Sequence, residues 1–146
     1  MSGLMTDPRK AQKNKSTVNG LIVTSLANSK SVGMPSRIFA KVIHNSAEAG
    51  HVYLTEETGM DIQRSLSNAV LALNKRFPLK SNCSIQVSFD SRRSSKDGNS
   101  AGVAFTLLLY SLFENFDIDP NVAVTGVILP NCEIAAVGGV PSKIRG

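Results

Sequence analysis

Three observations predict a mixed α+β domain. Apolar residues alternate over Cys83–Phe89, as in a half-buried strand. A one-sided apolar stripe from Ile62 to Phe77 marks an amphipathic helix, and a segment apolar nearly all round comes after residue 102. With 146 residues, 42% of them apolar and 18% charged, the chain is long enough and apolar enough for a single folded core.

Taken in order, residues 1–17 are polar, basic and aperiodic, which predicts a flexible arm ahead of a folded domain over 18–146. Residues 21–26 are short and β-branched after Asn19-Gly20, and read as a strand. Turn residues fill 28–35. Strands over 37–44 and 51–54, with a turn between them, complete an expected N-terminal β-meander. In the next element, a helix, Ile62, Leu66, Ala69, Val70, Leu73 and Phe77 share one face, and Pro78 stops it. The strand Cys83–Phe89 turns Cys83, Ile85, Val87 and Phe89 to one side, and a polar loop covers 90–99. Residues 100–115 should form a buried helix, because neither face is polar. A strand over 121–128, a turn at Leu129-Pro130-Asn131 and a returning strand over 133–137 make a C-terminal hairpin. Gly138-Gly139 ends it, and Pro141 suits the first position of another helix.

The charge balance is 16 − 11 = +5, with basic clusters at Arg9, Lys10, Lys13 and Lys15 and at Arg92, Arg93 and Lys96. No aromatic residue interleaves them and Trp is absent, so solvated charge is expected in place of nucleic-acid contact. Cys83 and Cys132 lack a CxxC spacing, which fits free thiols in a reducing, cytoplasmic compartment. His44 and His51 belong to no ligand-spaced cluster, so no metal site is expected. No eighteen-residue apolar run and no charged-then-apolar leader is visible, so neither a membrane span nor a secretory signal is expected.

The stretch 96–102, K-D-G-N-S-A-G, is a glycine-bearing turn running into the buried helix. Asp97 or Asn99 could cap that helix, placing Ser100 in its first turn beside unpaired amides. A hydroxyl held there is where a serine nucleophile and its oxyanion site need to be. Read alone, the same run is equally a loop that caps a helix.

Two separated stretches, K-D-G-N-S-A-G at 96–102 and T-G-V-I-L-P-N-C-E-I-A-A-V-G-G-V-P-S-K at 125–143, together resemble the proteolytic domain of Lon proteases. That family carries D-G-P-S-A-G around its serine, then T-G, a short hairpin and G-G-[hydrophobic]-K-E-K. The resemblance runs from about residue 18 to the end, including the order of elements. It implies Ser100 as nucleophile and Lys143 as general base of a Ser–Lys dyad, with Thr125 orienting the lysine. For Asp97 it implies a regulatory or capping role. Gly98, Asn99 and Ala101 shape the turn, and Gly139 lies in the break before the lysine. A lysine amine ordinarily titrates near about 10.4, so the role requires a desolvated amine. The reaction implied is metal-free and cofactor-free hydrolysis of unfolded polypeptide through an acyl-enzyme on Ser100.

This sequence has Asn99 for the family's proline, and Pro141 and Ser142 for the first lysine and the glutamate after Gly-Gly. The acidic residue the family places on an early strand has no counterpart over 38–43, where Ala40 and Lys41 stand. The family continues beyond its lysine with a helix, a strand and a further helix; here Ile144, Arg145 and Gly146 come after Lys143. No G-x-x-x-x-G-K-[ST] loop occurs, so no ATPase is expected in this chain and a motor would be a separate partner. A homo-oligomer is implied by the resemblance. A catalytically weak or inactive module for oligomerisation or partner binding is the alternative reading.

Overall fold

The computed structural model describes residues 13–25, 31–44, 50–55, 58–74, 76–77, 82–90, 101–129, 131 and 134–135. Its order is β1 (Lys15–Ser25), β2 (Ser31–His44), β3 (Val52–Leu54), α1 (Met60–Asn74), β4 (Cys83–Phe89), α2 (Gly102–Glu114), β5 (Ala123–Val124), β6 (Val127–Ile128) and β7 (Ile134–Ala135). The α+β expectation holds. β4 falls on its predicted bounds, both helices begin and end within three residues of theirs, and β6–β7 form the expected antiparallel hairpin.

The β-meander does not hold. The five-stranded sheet runs β3-β4-β2-β1-β5, so β4 enters between β2 and β3, and β3 pairs with β4 in parallel. The physical reason is the helix between those two strands: α1 carries the chain across the sheet, as a crossover between parallel strands must. β1 starts at Lys15, inside the stretch expected to be an arm, because Lys15, Ser16 and Thr17 pair with Lys41, Ala40 and Phe39. The predicted 121–128 strand is two short ones, β5 on β1 and β6 on β7, separated at Thr125-Gly126.

Register explains the core. Val18, Ile38, Ala40, Val42, Ile85, Val87 and Phe89 share one sheet face and meet Ile62, Leu66 and Ala69 of α1 and Ala104, Phe105, Leu108 and Leu112 of α2. Ser84, on the opposite face of β4, is also fully buried. At the helix ends, Phe77 stacks on Phe113 with ring centroids 5.3 Å apart and meets the edge of Tyr110 at 5.5 Å. α2 closes on Asn115 in the left-handed region (φ 58°), whose N–H returns to the Ser111 carbonyl. Ser111 also shares a 2.5 Å hydroxyl–hydroxyl hydrogen bond with Ser16 of β1, so both buried polar groups are satisfied.

Candidate active site

The site expected from the sequence is built on the start of α2 and on the β5–β6 link. The helix begins at Gly102, and its N-cap is Ala101, with φ −83° and ψ −4° and no side-chain capping bond. Asp97 and Asn99 therefore do not hold the N-cap position, and the helix starts two residues after Ser100 in place of including it. What caps the helix is backbone. The Val103 N–H donates to the Gly126 carbonyl at 3.1 Å, satisfying one of the first-turn amides that has no partner within the helix.

Two glycines make that contact possible. A Cβ on Gly102 would sit 2.7 Å from Ile128 Cγ2 and 2.9 Å from the Ile128 nitrogen. A Cβ on Gly126 would sit 2.6 Å from Val103 Cγ2 and 3.2 Å from Val103 Cβ. Each glycine thus removes a side chain where the helix and the link cross at backbone distance. α1 braces the junction from one side, its Asn68 Nδ2 donating to the Ile128 carbonyl at 3.4 Å.

Of the sequence-predicted site residues, Ala101 and Thr125 are described. Ala101 is half-buried ahead of α2, and its carbonyl accepts from the Phe105 N–H at 2.9 Å. Thr125 is half-buried and directly precedes Gly126, beside the first turn of α2. The junction therefore brings together the serine-side stretch ending at Gly102 and the stretch beginning at Thr125, which are more than twenty residues apart in sequence. Ser100, Lys143, Asp97, Gly98, Asn99 and Gly139 lie outside the described residues, as do Cys132 and the helix expected after Pro141. Sequence reasoning passed over Gly126, Val103, Ile128 and Asn68. Only the glycine after Thr125 offered a signal, since an isolated glycine between strand-forming residues marks a close backbone approach.

Two further expectations meet the structure here. Cys83 is a free, buried thiol whose sulfur lies 3.2 Å from His44 Nδ1, across the β2–β4 ladder. Among the described residues no group of three or more His, Cys, Asp or Glu could hold a metal ion, and no helix is long and apolar enough to cross a membrane.

The sequence matches known proteins over this same framework. The family model of the Lon protease (S16) C-terminal proteolytic domain matches residues 9–146. An archaeal Lon protease of Thermoplasma volcanium is 32% identical over 135 residues, covering 88% of this chain and 20% of that protein. Lon protease 1 of Bdellovibrio bacteriovorus is 32% identical over 101 residues, covering 65% of this chain and 13% of that protein. A mitochondrial Lon protease homolog of Debaryomyces hansenii is 47% identical over 51 residues, 35% of this chain and 5% of that protein. The chain spans about a fifth of the length of the archaeal relatives it matches. A match over nearly the whole chain, carried on a helix–link junction that joins the two motif-bearing stretches, makes this chain a member of the Lon protease C-terminal proteolytic domain family.

Proposed function

We propose that this chain is a serine endopeptidase domain that hydrolyses unfolded polypeptides with a Ser100–Lys143 dyad. The observation that carries the reading is the glycine junction. It puts the helix entered from Ser100 against the link carrying Thr125, and the second motif runs on from that link to Lys143. In this mechanism the neutral Lys143 amine takes the Ser100 proton as the oxygen attacks the peptide carbonyl carbon. The tetrahedral oxyanion is held by the Ser100 N–H and a neighbouring amide of the 97–101 turn. Collapse breaks the C–N bond, Lys143 returns the proton to the leaving amine, and water repeats the sequence to release the acyl group. Thr125 orients the lysine; Asp97 has a regulatory or capping role.

Membership of the Lon family supports a protein substrate, and by the same analogy the domain works as a homo-oligomer, with any unfolding motor supplied by a separate ATPase. The test is hydrolysis of fluorescein-labelled casein. Ser100→Ala and Lys143→Ala should each lower kcat by roughly a thousandfold or more while circular dichroism stays unchanged. A folded Ser100→Ala variant that still cleaves casein overturns the dyad. A folded wild-type chain that neither cleaves casein nor forms a Ser100 adduct with a fluorophosphonate leaves the non-catalytic module as the reading.

A further inference from the structure

On the far side of α1 from the glycine junction, β3 ends the five-stranded sheet. Its one partner is β4, through Ile85 N–H to the His51 carbonyl and Thr55 N–H to the Val87 carbonyl, both 3.0 Å. In a parallel ladder alternate residues face the same neighbour, so the N–H and C=O groups of Val52 and Leu54 point away from β4, off the edge of the sheet. Along that edge runs a groove of about 340 Å³ lined by Val52, Tyr53, Leu54, Gln63, Leu66 and Ser67. Its helical wall is continued by apolar residues. At 100° per residue, Met60, Ser67 and Leu71 lie on one flank of α1, and Met60 is 73% and Leu71 55% exposed.

We infer that this groove is an exosite that captures an extended, apolar segment of the polypeptide substrate as an added strand on β3. The backbone edge supplies hydrogen bonds indifferent to sequence, and the groove takes alternate side chains. Size selects the occupant. Three residues of strand span roughly 10 Å, whereas a stable contact between two folded chains buries roughly 1,600 Å². One unfolded segment fits; a second folded copy does not. α1 separates this groove from the junction, since Asn68 on its opposite flank reaches Ile128. A segment held here therefore lies away from the scissile bond, and capture favours long substrates over short ones. That consequence rests on the proteolytic reading; the docking itself does not.

The test uses the full chain carrying Ser100→Ala and a fluorescein-labelled peptide of about twelve alternating Leu and Thr residues, monitored by fluorescence anisotropy. Methylating every peptide amide nitrogen, or filling the groove with Ser67→Arg, should each weaken binding about tenfold or more, while Ser67→Ala leaves it unchanged. In the Ser100 chain, Ser67→Arg should raise KM for casein and leave hydrolysis of a fluorogenic tripeptide unchanged. Equal affinity for the methylated peptide, or for the Ser67→Arg variant, overturns the exosite. So does sedimentation showing that Ser67→Arg dissociates the protein into smaller species, which would assign the face to a second copy. Peptide capture without casein hydrolysis in the Ser100 chain sinks the proteolytic reading alone.

Discussion

α1 and α2 cover the same sheet face, yet they are different kinds of helix. α1 buries four of fifteen residues, Ile62, Ser65, Leu66 and Ala69, and leaves Arg64, Ser67 and Leu71 to solvent. α2 buries eight of thirteen, with Phe105, Leu108 and Leu112 fully covered. The cause is position. α2 is enclosed by the sheet, α1 and β6, while α1 has open space along β3. A helix enclosed on several sides has no polar stripe to spare, and that rigidity is what a site at its N-terminus needs. The outer helix can be amphipathic and carry a groove.

The contrast breaks most sharply under truncation. Leu108→Ala should cost about 3 kcal/mol, because the cavity lies where nothing can settle into it. Leu71→Ala, at a position 55% exposed, should cost less than about 0.5 kcal/mol. Urea titrations monitored by circular dichroism measure both, and similar losses would erase the distinction. Next comes the junction. Gly126→Ala should destabilise by about 1–3 kcal/mol through its clash with Val103 and depress casein hydrolysis with it. Adding Val103→Ala should recover much of both; no recovery would mean that the two residues do not press on each other.

The smallest effect belongs to a contact at the far end of α2. The Lys13 amine hydrogen-bonds the Asp117 carboxylate, and that contact and its charge hold the carboxyl below its ordinary value of 3.8. A depressed carboxylate contributes stability above its unfolded pKa and loses it as pH falls through the folded one. Asp117 is 91% exposed, so screening leaves little. Asp117→Asn should change the melting temperature slightly at neutral pH in low salt, and not at all in strongly acid buffer. A difference that grows toward acid pH would reverse the assigned sign.

Local pattern made several elements legible in the sequence. Cys83–Phe89 alternates because one face is core, and Ile62 to Phe77 shows a single stripe because one side is wet. Pairing partners were not legible. Nothing within 51–54 says that its neighbour is β4 and not β2, since register and order are set by long-range fit. At the candidate site, Ala101 and Thr125 were readable from motif, whereas the need for glycine at 102 and 126 appears only when two distant backbones cross. The N-cap was misread for the same reason. A carbonyl from Gly126 takes the place that a side chain such as Asp97 or Asn99 would fill in a helix standing alone.

The entry of β4 between β2 and β3 has a consequence for the chain as it leaves the ribosome. β1 and β2 can zip together as a hairpin once residue 44 has emerged, but β3 has no neighbour until the strand ending at Phe89 arrives. Two-stranded ribbons are marginal in water, and closing so long a loop slows assembly. Nascent chains stalled before that strand should remain open to protease, and protection should come in one step as it docks.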